Sequence, residues 1–247
     1  MNELLGYASS LQLGYLAKHL HEIVHNAQLN TPTYLEYSIK LLKAEVESRK
    51  EREIAKRIKR AHLPRHCNLD NFDFTHGAGM TRHWLKQMRE LLWVEQAYNV
   101  ILMGPSGTGK TYIASGLIND AVNRRMNAMF GTMEEYVHIL RTKDSLPKSM
   151  AAYNRILKCS VICIDEITLM PLKKEEAIAF FNFINALHEK VSVIITTNKA
   201  PTEWVEVFGD EGLTTSILDR ILFHCSVVRL DGTSYRMDNR LGFLKEQ

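Results

Sequence analysis

At 247 residues, 45% hydrophobic and 24% charged, the chain has the balance of a water-soluble protein with a substantial core, which excludes a disordered or fibrous class. A formal net charge of +3 is only mildly basic, so any preference for polyanions rests on where the cations lie rather than on their total. Cys67, Cys159, Cys163 and Cys225 lack the second pair that a zinc site requires, and no apolar run is long enough to cross a bilayer; reduced thiols without a membrane span or signal region point to a cytoplasmic protein.

Residues 1–66 read as a small all-helical domain that binds DNA or a partner. A first amphipathic helix is expected over 9–27, where Leu13, Leu16, Leu20, Ile23 and Val24 recur at helical spacing. It contains His21-Glu22-Ile23-Val24-His25, a match to the zinc-protease string that lacks the usual extension to a third ligand; spacing alone leaves Glu45 or Glu47 open for that place. Asn30-Thr31-Pro32-Thr33 breaks the helix, and Thr33 with Glu36 forms a capping box for a long second one over 34–62. Leu35, Ile39, Leu42 and Val46 mark its first half. Its second half is basic, with Arg49, Arg52, Lys56, Arg57, Lys59 and Arg60 available to a phosphate backbone. Interleaved glutamates also allow a solvated helix laced with ion pairs, and composition leaves both readings standing.

Residues 67–98 are expected to form a linker and a helix. The linker is extended over 68–80 and carries Phe72 and Phe74, and Thr81 caps the helix, which runs to 96. From residue 99 the pattern alternates. Short apolar runs at 99–103, 128–132, 160–164, 191–196 and 226–230 are separated by helical patterns at 111–124, 133–141, 174–189 and 214–224. Strands so connected form a mostly parallel sheet covered on both faces, an α/β three-layer sandwich over 99–247.

Gly104-Pro105-Ser106-Gly107-Thr108-Gly109-Lys110-Thr111 joins the first of these strands to the first helix. The glycines let amides turn inward around phosphates at a helix N-terminus, Lys110 reaches the β- and γ-phosphates, and the Thr111 hydroxyl is a ligand for Mg²⁺. The third strand ends in Asp165-Glu166, where Asp165 can hold Mg²⁺ and Glu166 can polarise an attacking water. The double acid favours hydrolysis over mere binding. The fourth strand ends at Asn198, placed to hydrogen-bond that water or the γ-phosphate.

Phosphate loop, Asp165-Glu166, Asn198 and then Asp219-Arg220 together resemble the AAA+ ATPases. That resemblance implies ATP with Mg²⁺, a γ-phosphate-sensing role for Asn198, and a finger role for Arg220 in a neighbouring subunit's site. The basic helix, Asn71-Phe72-Asp73-Phe74 and the late Ser234-Tyr235-Arg236 are similar to one branch, the IstB-type transposition helpers and DnaC/DnaI-type helicase loaders, with the helper preferred. Its implications are a homo-oligomer, ring or helical, on double-stranded DNA; a transposase as partner; Arg236 as a second nucleotide sensor; and a reduced C-terminal lid, since only about seventeen residues follow position 230. The alternatives are a helicase loader acting on single strands and a nucleotide-gated scaffold with incidental hydrolysis.

Overall fold

The computed structural model describes residues 1–65, 67–74, 79–168, 170–232 and 234–235. The chain divides into two compact units, one over Met1–Lys56 and one from Arg57 onward, with the division falling inside a single long helix rather than at residue 66.

In the first unit the helix expected over 9–27 is two helices, α1 (Asn2–Ser10) and α2 (Gly14–Asn30). Gln12 turns the chain between them with φ 55°. The start of α2 has no side-chain cap of its own. Its orphan amides are satisfied from thirty residues away: Tyr15 and Leu16 donate to Glu45 Oε2 at 2.9 and 3.2 Å. Glu45, on α3 (Tyr34–Arg60), is therefore buried, and it also accepts from Arg49 at 2.9 Å and Arg52 at 3.2 Å. Thr33 and Glu36 exchange the capping-box bonds at the start of α3. Leu35, Ile39, Leu42 and Val46 are all exposed, so the buried face of α3 in this unit is the one that carries Glu45.

In the second unit the tail of α3 reaches the sheet. Ala61 is fully buried, and its carbonyl accepts from the Phe130 amide at 2.8 Å. The expected extended linker contains a 3₁₀ turn, Leu69–Asn71, capped by the Asn68 side chain. The helix expected over 81–96 is split into α4 (Arg82–Arg89), capped by Thr81, and α5 (Leu92–Glu95), because Leu91 adopts φ 60° and buries its side chain.

Five parallel strands follow: β1 (Asn99–Met103), β2 (Ala128–Thr132), β3 (Val161–Asp165), β4 (Ser192–Thr197) and β5 (Cys225–Arg229), in the order β2-β3-β4-β1-β5. Each matches its expected run to within a residue. The helices between them are α6 (Lys110–Asn123), α7 (Met133–Thr142), α8 (Pro147–Ile156), α9 (Lys174–Leu187), α10 (Val205–Phe208) and α11 (Glu211–Leu222). Helices α8 and α10 had no expected counterpart, and α11 starts early because Asp210 caps it through the Leu213 amide at 2.7 Å.

One face of the sheet packs on α6 with α4 and the Leu69 turn, and the other on α7, α9 and α11, which gives the expected three layers. Buried Asn99 joins β1 to β4 and to α11. Its amide donates to the Ile221 carbonyl and its carbonyl accepts from the Val193 amide, both at 2.9 Å. Because all strands run the same way, every strand's C-terminal tip lies on one edge, where open α/β sheets place their ligands.

Candidate functional site

Residues 104–109 leave β1 at that edge and wrap into the first turn of α6. Gly104 and Gly109 sit at φ 155° and 93°. A Cβ at Gly104 would lie 2.2 Å from the Leu230 carbonyl oxygen, and one at Gly109 would lie 3.1 Å from the Phe72 ring, so both positions are held to glycine by conformation and by space. Lys110 folds over the loop and donates Nζ–H bonds to the carbonyls of Gly104 and Pro105, each at 2.7 Å. The loop amides at the start of a fourteen-residue helix form a ready cradle for phosphate oxygens.

The tips of β3 and β4 supply the opposite wall. Asp165 is 5% exposed and accepts from Thr111 Oγ1 at 3.0 Å and from Thr196 Oγ1 at 2.6 Å. Burial pushes its carboxyl above the usual range, while the two hydroxyls and Lys110 pull it back. A hydroxyl and a carboxylate meeting at the mouth of a phosphate loop are hard oxygen donors and fit Mg²⁺.

Glu166 follows at φ 56°, a left-handed conformation unusual for a glutamate, with its amide held by Thr196 Oγ1 at 2.9 Å and its side chain exposed to the cavity. Thr168 donates to Asn198 Oδ1 at 2.6 Å. That leaves the amide's Nδ2 hydrogens for another acceptor.

These groups line a cavity of about 660 Å³, in the range of small-ligand sites. Ser106 to Thr111, Glu166 and Asn198 all reach it. Asp165 lines a second cavity, of about 200 Å³, that also touches Glu166. Asn71, Phe72, Asp73, Tyr112 and Tyr235 also line the cavity, close beside the loop, where the Tyr235 amide donates to the Gly107 carbonyl at 3.1 Å. Phe72 leans on Phe74 and Tyr112 with ring centroids 5.0 and 6.0 Å apart, and the Tyr112 hydroxyl donates to the Asn68 carbonyl. An aromatic wall beside a phosphate cradle suits a nucleobase.

Three contributors escaped the sequence reading, and a fourth, Asp73, was noted only for its family likeness. Thr196 and Thr168 act through hydrogen bonds to residues already singled out; a pair of threonines interrupting an apolar strand beside Asn198 signals the first, and nothing signals Thr168, in the turn after β3. Tyr112 and Asp73 come from segments whose approach only the packing reveals.

Other expected residues lie elsewhere. Arg220 does not line the cavity of its own chain. It stacks 4.8 Å above the Phe181 ring and donates to Asn185 Oδ1 at 2.8 Å. Arg236 lies outside the described residues. Arg49 and Arg52 are engaged with Glu45, Arg57 donates to Asn127 Oδ1 at 2.6 Å, and Lys56, Lys59 and Arg60 are exposed. Among the described residues no three histidine, cysteine or acidic side chains group as a metal site, and Glu45 is committed to the start of α2. No helix is long and apolar enough to cross a membrane, among the described residues.

Known proteins agree with this architecture. Residues 6–242 match the family of IstB-like ATP-binding proteins. An IS21-like insertion-sequence ATP-binding protein of Bacteroides fragilis is 44% identical over 99% of this chain and 93% of its own length. The insertion sequence IS21 ATP-binding protein of Pseudomonas aeruginosa is 33% identical over 97% and 91%. Among solved structures, DnaI superposes with a TM-score of 0.56 at 16% identity over 71% of this chain and 95% of its own. AMPPCP-bound DnaA from Aquifex aeolicus gives 0.56 at 19% identity over 72% of this chain, which spans 54% of that protein. These two likenesses bear on the fold alone. Phosphate loop, acidic turn and sheet order thus sit in a chain that belongs to the IstB-like ATP-binding protein family and is an ATPase of AAA+ fold.

Proposed function

We propose that this ATPase is the helper of an insertion-sequence transposase, assembling on double-stranded DNA with ATP and recruiting or activating the transposase, with hydrolysis resetting the complex. The observation that carries the hydrolytic part is that Thr196 hydrogen-bonds both Asp165 and the Glu166 amide while Thr168 holds Asn198, at the sheet edge where Lys110 folds over the phosphate loop. Lys110 and the loop amides bind the phosphates, Glu166 orients the attacking water, and Asn198 Nδ2 holds that water or the γ-phosphate. Mg²⁺ bound between Thr111 and Asp165 would neutralise charge on the β- and γ-phosphates.

Arg220 would complete the site of a neighbouring subunit. Its partly exposed place on α11, away from its own cavity, is consistent with that role. The transposition role draws on the insertion-sequence relatives, and the basic end of α3 supplies the candidate DNA contacts. A helicase-loader reading keeps its footing in the shared fold with DnaI. Hydrolysis incidental to a DNA scaffold is the third reading, and the intact acidic pair disfavours it.

The experiment is the ATP hydrolysis rate alone, with duplex and with single-stranded DNA at equal nucleotide concentration. Stimulation chiefly by duplex supports the helper, chiefly by single strands the loader, and a rate indifferent to both removes DNA from the reading. Glu166→Gln should bind ATP and hydrolyse it at least a hundredfold slower. Arg220→Ala should bind ATP but hydrolyse poorly, and doping with Lys110→Ala subunits should restore part of the rate; no recovery at any ratio rejects action between subunits.

A further inference from the structure

Asn127 fastens three cation-bearing segments together at the edge of the sheet opposite the nucleotide cavity. Its Oδ1 accepts from Arg57 at 2.6 Å, its Nδ2 donates to the Lys158 carbonyl at 3.2 Å, and its own carbonyl takes the Ser160 amide at 2.7 Å. The last turn of α3, the α6–β2 turn and the α8–β3 turn thus converge where β2 and β3 begin. These segments carry Arg57, Lys59, Arg60, Arg125, Arg155 and Lys158, all exposed except the partly buried Arg57.

Several arginines elsewhere in the fold are ion-paired. Arg49 and Arg52 meet Glu45, and Arg89 is clamped by Asp120 and Asp70. Lys59, Arg60, Arg125, Arg155 and Lys158 have no ion-pair partner among the described residues. Arg125 even holds φ 64°, a conformation that glycine or asparagine adopts more readily, so the turn retains a cation against its backbone preference. The neighbouring α9–β4 turn adds Glu189 and Lys190, which cancel and leave the rim positive. Unpaired like charges gathered on one surface repel each other unless a polyanion neutralises them.

We propose that this rim docks the sugar-phosphate backbone of DNA, with Arg125, Arg155 and Lys158 extending the surface begun by the end of α3. The proposal rests on the DNA-binding reading above. Arginine and lysine without an accompanying set of asparagine or glutamine readers suit phosphate contacts rather than base recognition. Strands β2 and β3 separate the rim from Thr132 and Asp165-Glu166 by roughly 16 Å of extended chain. DNA and ATP therefore bind opposite edges of one sheet without competing.

The test is fluorescence anisotropy of a labelled random-sequence duplex across a salt series, with a non-hydrolysable ATP analogue, comparing the parent with Arg125→Ala/Arg155→Ala/Lys158→Ala. Three lost phosphate contacts should lower the slope of log affinity against log salt by about 2.7. DNA-free ATP hydrolysis should be unchanged, which also reports that the variant is folded. The companion Arg125→Lys/Arg155→Lys variant keeps the charges and should keep the parental slope. A parent that binds duplex and a triple variant with the same slope and affinity would overturn this surface while leaving DNA binding intact. A parent that binds no duplex in any nucleotide state overturns both.

Discussion

Thr196 offers the sharpest check on how the acidic turn is held. Its side chain is fully buried, donating to Asp165 Oδ1 at 2.6 Å and accepting the Glu166 amide at 2.9 Å. In Thr196→Val the shape is nearly kept and both bonds are lost. A hydrogen bond to a carboxylate is worth about 1.5–3 kcal/mol and one from an amide about 0.5–1.5, so the variant should lose about 2–4.5 kcal/mol. Thr196→Ser keeps the hydroxyl and deletes one methyl, costing about 1 kcal/mol.

The three tryptophans, Trp84, Trp93 and Trp204, all lie in the unit that begins at Arg57, so urea titration followed by tryptophan fluorescence reads the relevant unit directly. With Glu166 released from its left-handed turn, hydrolysis should fall about a hundredfold in the valine variant, the scale of a 1 Å misplacement. The order decides the matter. If serine is as damaging as valine, or more so, methyl packing rather than the hydroxyl holds this tip and the reasoning fails.

Thr168→Val should lower kcat about tenfold with KM nearly unchanged, since the cost of losing about 1.4 kcal/mol of orientation at Asn198 falls on the chemical step; Thr168→Ser should restore it, and steady-state kinetics of both variants settle the point. Gly116→Ala gains about 0.5–1 kcal/mol of helix propensity but places a Cβ 2.3 Å from Leu69 Cγ, so overpacking of about 1–3 kcal/mol should win, and urea unfolding will show a net loss. At Glu45, burial pushes the pKa up, but the Arg49 hydrogen bond and the Leu16 and Tyr15 amides outweigh it and hold the carboxyl below its ordinary 4.5. A depressed pKa gives stability that is present above the unfolded value and lost as pH falls through the folded one. Amide exchange at Tyr15 and Leu16 should therefore accelerate as pH drops below about 4.5, after correction for intrinsic rates, and Glu45→Gln should exchange faster at neutral pH with no such acid step.

The candidate site was legible where its chemistry is local. Eight consecutive residues specify the phosphate loop, and a strand ending in Asp165-Glu166 announces its own tip. Thr196 was not legible, because a threonine in an apolar strand has high β propensity and needs no function to explain it; Thr168 was not, because an isolated threonine in a turn has no spacing that ties it to Asn198. The aromatic wall of the cavity was only half visible. Phe72 and Asn71 carried the family likeness, but nothing in their spacing places them against Gly109 and Tyr112.

By itself, the sequence determined the α/β alternation, the five strands to within a residue and the groups that handle phosphate, because hydrophobic period, glycine conformation and capping act over a few neighbouring residues. Tertiary structure alone decided the rest. It buried Glu45 to start a helix thirty residues away, broke two expected helices at Gln12 and Leu91, and left the apolar stripe of α3 exposed. It also used Asn127 to draw cations from three distant turns onto one rim. Each of these outcomes depends on an unsatisfied amide, a cavity or a charge that comes into being only when separate segments pack together, so no window of the chain contains it.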